Sequence, residues 1–108
     1  MRDDLNNILE AFRYEFPDER TRAHILDVIN LYMNDRVINE EISDYHVRDI
    51  TGTSYPIDYT RLEFEIVWIR HEFRYSGMSE VMTIGMTSEN NGLREPIAFG
   101  TIKKHTMI

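Results

Sequence analysis

The chain has 108 residues, 42% of them hydrophobic and 29% charged, and 12 basic against 19 acidic side chains leave a net charge of −7. At this length folding hides roughly 60–65% of the surface of the open chain, which supports one core and one domain, 1–108. The aromatic content excludes a disordered acidic tail, no apolar run reaches the ~20 residues that span a bilayer, and the absence of cysteine excludes disulfides, thiolate metal sites and thiol catalysis.

The first predicted element is a short helix within residues 4–16. Leu5, Ile8, Leu9 and Phe12 follow the i, i+3, i+4, i+7 spacing of one helix face, and Pro17 ends it. Asp18 is placed as the N-cap of a second helix, with Glu19 in the first turn, where the helix dipole favours a negative charge. Ile25, Leu26, Val28, Ile29, Tyr32 and Met33 then share one face, so this helix is expected from about Asp18 to Asn34 or a little beyond.

After Asn39-Glu40-Glu41 the period shortens to two. Tyr45, Val47 and Ile50 predict a short strand, closed by turn-prone residues from Thr51 to Pro56. The clearest strand follows, with Leu62, Phe64, Ile66 and Trp68 on one face and Arg61, Glu63, Glu65, Val67 and Ile69 on the other. Because Ile66-Val67-Trp68-Ile69 is apolar on both faces, a cover over the far side is expected as well. Val81 to Thr87 forms a third strand after a loop at Ser76-Gly77, Glu89-Asn90-Asn91-Gly92 makes a turn, and Ile97 to Ile102 forms a fourth strand. Helices followed by strands predict an α+β fold, two N-terminal helices packed on a small, mostly antiparallel sheet of three to four strands.

The residues offer little chemistry. His24, His46, His71 and His105 lack chelating spacing, and the glycines at 52, 77, 85, 92 and 100 stand singly, so no phosphate loop forms. Glu40-Glu41 and the Glu63/Glu65 pair suit solubility better than acid/base work. Met78, Met82 and Met86 read as core filling, and the bases lack the clustering that phosphate binding requires. The expectation is therefore a non-enzymatic protein with no catalytic residue, no metal, no cofactor, no direct nucleic-acid contact and no membrane partner. With no apolar leader after Met-Arg-Asp-Asp, residence in the cytoplasm or in something assembled there is expected.

Several segments also carry a likeness to a known family. Phe16-Pro17-Asp18-Glu19-Arg20-Thr21-Arg22 opens the second helix and Leu31-Tyr32-Met33 lies towards its end. Asp44-Tyr45-His46-Val47 makes a strand, Ile57-Asp58 precedes the next, and Leu62 to Ile69 and Val81 to Thr87 supply an apolar strand and its return. In this order, over about 75 residues from Phe12 to Thr87, the chain resembles the C-terminal (inner) domain of bacteriophage contractile-tail sheath proteins and of related injection machines. It departs from that pattern at Asp49-Ile50-Thr51-Gly52 and at Arg70-His71-Glu72-Phe73, and it lacks the outer domains of a full sheath subunit.

The resemblance therefore implies a free-standing inner domain, similar to the sheath initiators of baseplates, in which extended arms of neighbours add strands to a small sheet. It implies tail sheath or baseplate and tube proteins as partners, a ring-forming homo-oligomer, and a place in the virion tail after assembly in the host cytoplasm. The segments where such pairing is expected are Ile66, Val67, Trp68 and Ile69, and Ile97, Phe99, Thr101 and Ile102, although the latter strand could equally complete the domain's own sheet. A different class of function, a small acidic phage-encoded inhibitor binding a basic site on a host protein, is the alternative that the charge allows.

Overall fold

The structure, a computed structural model, describes residues 1–16, 18–53, 61–89 and 92–106, with 87–89 and 92–106 described as backbone only. Two helices, α1 (Arg2–Glu10) and α2 (Glu19–Ile38), precede four strands, β1 (Ile42–Asp49), β2 (Arg61–Arg70), β3 (Met78–Glu89) and β4 (Gly92–Thr106), with a 3₁₀ turn at His71–Phe73. The strands form one antiparallel sheet in the order β1-β2-β3-β4, each beside its neighbour in sequence. This is the α+β arrangement that the helix-then-strand order predicts.

The helix ends differ in how they are made. Asp18 adopts an extended backbone and its carboxylate accepts a 2.8 Å hydrogen bond from the Thr21 N–H, so α2 starts where the sequence places its cap. At the other end α2 runs to Ile38, four residues past Asn34. Glu40, at φ 60°, turns the chain away from the helix and towards the sheet. α1 stops at Glu10, short of the expected position 16. From Ala11 onwards the backbone tightens into i to i+3 bonds, Phe12 N–H to Leu9 C=O at 2.9 Å and Arg13 N–H to Glu10 C=O at 3.2 Å. That tightening still leaves Phe12 buried against the core.

The core lies between the helices and one face of the sheet. Ile25, Ile29 and Met33 from α2 and Leu5 and Leu9 from α1 meet Leu62, Phe64, Ile66 and Trp68 of β2 and Met82, Ile84 and Met86 of β3. α2 crosses β1, while α1 lies over β3 and β4. The alternation in β2 is reproduced residue by residue: even positions from Leu62 to Trp68 are buried, while odd positions from Arg61 to Ile69 are half-buried.

The cover expected over the far side of Ile66 to Ile69 is not supplied by any described helix. Val67 and Ile69 are half-buried on the face opposite the one on which both helices sit. Strands β3 and β4 extend beyond the apolar runs that announce them, since ladder hydrogen bonds continue wherever a partner strand is present. Gly77, at φ 75°, makes the turn into β3. Pro17, residues 54–60 with Tyr55, Ile57-Asp58 and Tyr59, and Asn90-Asn91 of the expected turn lie outside the described residues.

Candidate functional site

β1 and β4 are the borders of the sheet, and among the described residues no strand pairs with the outer side of either. The geometry of β1 determines which of its backbone groups face that open side. Ile50 N–H donates to the Glu63 C=O at 2.9 Å. Pairing in β1 and β2 runs Asp49 with Phe64, Arg48 with Glu65 and so on to Asp44 with Ile69. Hydrogen-bonded pairs alternate in an antiparallel ladder, so residues 44, 46 and 48 turn their N–H and C=O towards β2. Tyr45, Val47 and Asp49 therefore turn theirs outward. The Tyr45 N–H agrees with this assignment: its partner is the neighbouring Asp44 carboxylate, at 2.8 Å, rather than another strand.

The helix face beside this edge is sculpted. Asp27, Asn30, Leu31 and Asn34 of α2 and Tyr45 of β1 line an open groove of about 460 Å³. Tyr45 donates its phenolic O–H to the Asn30 C=O at 3.1 Å, and Arg22 pairs with Asp49 at 3.1 Å, which fixes the far end of β1 to the start of α2. Leu31 is 71% exposed beside the groove. A strand added along β1 would direct alternate side chains into this groove and the others onto the outer face beside His46 and Arg48.

β4 is a poorer acceptor. Pro96, which pairs with Met86, has no N–H and is tolerated where that donor would point away from the ladder, so it removes a donor from the outer edge. Between Phe99, paired with Thr83, and Lys103, paired with Val81, the register shifts, and such an irregularity bends an edge strand and blunts it.

The segments singled out in the sequence are therefore placed differently from one another. Ile66, Val67, Trp68 and Ile69 lie in a central strand, paired with Val47, His46, Tyr45 and Asp44 on one side, and Ile66, Val67 and Trp68 also with Met82, Val81 and Glu80 on the other. An incoming strand finds no unpaired backbone there. Ile66 and Trp68 are core residues, and only Val67 and Ile69 have side chains on the outer face. Ile97 and Phe99 pair with Gly85 and Thr83 within the domain's own sheet, and Thr101 and Ile102 fall inside the irregular stretch of β4. Nothing in the run of residues marks β1 as an edge, since its apolar residues are few and Asp44, Arg48 and Asp49 are charged.

A second, wider groove of about 780 Å³ lies where the α1 N-terminus meets the sheet, lined by Met1, Arg2, Trp68, Arg70, His71 and Glu80 among others. Glu80 is 4% exposed and paired with Arg70, Nε to Oε1, at 2.5 Å. The Glu63/Glu65 pair does not converge on a reacting centre. Glu65 accepts two bonds from Arg48, at 2.7 and 3.1 Å, and Glu63 lies 3.7 Å from Arg61. His24 packs edge-on against Phe12, and no group of three metal-binding side chains occurs among the described residues.

Among the described residues, Tyr32 and Asp18 are acids whose titrations are displaced. Burial first, and then its 2.6 Å hydrogen bond to Asp4, push the Tyr32 phenol up to about 12. The hydrogen bond from the Thr21 N–H holds the Asp18 carboxyl below its ordinary value.

No family model matches the chain, and no curated protein or solved structure is significantly similar to it.

Proposed function

We propose that this protein is a structural subunit of a contractile phage tail or related injection machine, a sheath initiator or baseplate/tail connector that assembles by accepting an extended segment of a neighbour along β1. The observation that carries the reading is the outward-facing backbone of Tyr45, Val47 and Asp49 beside the α2 groove. The sequence resemblance to the sheath inner domain supplies the biological setting.

Magnitudes explain why the groove matters. Each backbone hydrogen bond gained by an added strand contributes about 0.5–1.5 kcal/mol net, whereas association alone costs about 4 kcal/mol or more. A handful of ladder bonds therefore barely offsets the cost, and apolar burial, about 25 cal/mol per Å², must supply the remainder. The groove at Leu31 and Tyr45 offers that surface.

In this reading the protein is not an enzyme. Its partners are sheath, baseplate or tube proteins and further copies of itself, and its destination is the virion tail. Co-expression with its tail neighbours, followed by imaging of the particle that co-purifies, tests the assignment. A six-fold ring at the end of a tube is expected, and a chain that associates with no tail component overturns it. Salt separates this reading from an acidic inhibitor of a basic host site. Strand addition survives raised ionic strength, whereas binding through net charge weakens steeply.

A further inference from the structure

An edge that waits for a neighbour is a hazard before that neighbour arrives, because unpaired N–H and C=O groups template unwanted pairing. The sequence of β1 is compatible with a specific cover. Antiparallel pairing of two β1 strands about a two-fold axis through His46 places Tyr45 opposite the partner subunit's Val47, and Val47 opposite the partner subunit's Tyr45. These are the residues whose backbone groups face outward, so each of these two pairs can exchange two hydrogen bonds. On the outer face the same register places Asp44 opposite the partner subunit's Arg48, and Arg48 opposite the partner subunit's Asp44. Tyr45 with Val47 is an aromatic and β-branched pair, and Asp44 with Arg48 an opposite-charge pair, both of the kind that stabilises cross-strand contacts.

Moving the symmetry axis by one residue, to Val47, loses this match: Arg48 would then face the partner subunit's His46, and Tyr45 the partner subunit's Asp49. The charge pattern of the strand thus selects one register. We infer that the free protein is a two-fold dimer in which two β1 strands pair antiparallel through His46, joining the two sheets into one and masking the accepting edge until a tail component displaces the second copy.

The groups needed for the exchange are already in place. The Asp44 carboxylate holds the Tyr45 N–H within the single chain, and both Asp44 and Arg48 are exposed. When the Tyr45 N–H finds the partner's carbonyl, the carboxylate is released towards the partner subunit's Arg48. That arginine already holds Glu65 in its own chain, so it would sit between two carboxylates. The inference rests on β1 as the accepting edge.

Because the chain has no cysteine, His46→Cys introduces a single thiol that can cross-link only between chains. At the symmetry axis the two Cα atoms of a non-hydrogen-bonded pair lie about 4.5 Å apart, within disulfide range. Asp44→Cys places its thiols four residues apart along the paired strands, beyond that range. Under mild oxidation His46→Cys is expected to give a covalent dimer and Asp44→Cys none, while sedimentation of the unmodified protein shows a concentration-dependent dimer.

Asp44→Lys and Arg48→Glu are each expected to weaken the dimer about tenfold, because like charges then face each other twice. The double substitution restores pairing relative to Arg48→Glu, although both carry the same clash with Glu65. A monomer at all concentrations, equal cross-linking at positions 44 and 46, or a double variant no better than Arg48→Glu overturns the inference. These measurements use the protein alone. A dimer that binds no tail component would overturn only the proposed function, and a monomer that joins a tail ring would overturn only the dimer.

Discussion

At the scale of single residues, the side chains that set the character of this protein are those with one committed partner. Glu80 is almost fully buried, with Arg70 as its counter-charge, and Arg70 itself remains half exposed. Removing the arginine leaves an uncompensated carboxylate under the sheet, so Arg70→Met is expected to destabilise the fold by about 1–3 kcal/mol, below the full penalty of a wholly buried pair. Arg70→Met/Glu80→Met should recover most of that loss in urea denaturation. Two losses that simply add would show that the pair is not coupled.

Tyr32 makes a different prediction. Its phenol titrates higher in the folded chain than the ordinary 10, so its contribution is fully present below that pH and is lost as pH rises through about 12. Tyr32→Phe is expected to remove this alkaline limb from a stability profile, and ultraviolet titration of the phenolate checks the assignment. Asp18 has the opposite sign. Its lowered carboxyl contributes above the ordinary 3.8 and ceases to contribute as pH falls through the folded value, a dependence absent in Asp18→Ala.

At the scale of elements, the fold is held by two apolar surfaces meeting. Ile25, Ile29 and Met33 of α2, which crosses β1, share one core with the even positions of β2, among which Phe64 is fully buried. Phe64→Ala is expected to cost about 3–5 kcal/mol and Ile29→Ala about 2–5 kcal/mol, read as lowered urea midpoints at unchanged slope. The junction of β1 and β2 depends on Thr51, whose hydroxyl accepts the Glu63 N–H at 3.0 Å in place of a strand partner. Thr51→Val should cost about 1 kcal/mol and increase hydrogen exchange at Glu63 first. The elements themselves were legible in the sequence because each has a periodic face: α2 with its Asp18 cap, and β2 with strict alternation. The end of α1 was not, since the tightening after Glu10 is a matter of how Phe12 reaches the core rather than of any local stop signal.

At the scale of the whole molecule, the sheet has two unequal borders. β4 carries Pro96 and two register shifts, while β1, past a single shift between Ile42 and Asp44, keeps one register from Asp44 to Asp49 beside a groove. An added strand is therefore expected at β1. A hydrogen-exchange comparison of the protein diluted to its monomer with the assembled protein should show new protection at Tyr45 and Val47 with little change in β4. Protection confined to β4 would contradict this choice of edge.

The amino-acid sequence by itself determined the helix and strand periods, the buried faces of α2 and β2 and the α+β class, because these follow from side-chain spacing along one segment at a time. Which strand lies at a border is a property of pairing between segments far apart in the chain. Only the tertiary structure could decide it, and so the doubly apolar Ile66 to Ile69, the most strand-like segment in the sequence, became the paired centre of the sheet. Charged, weakly apolar β1 was left with its backbone facing outward. Burial favours the most apolar strand at the centre, and the border then falls to segments whose polar side chains tolerate water.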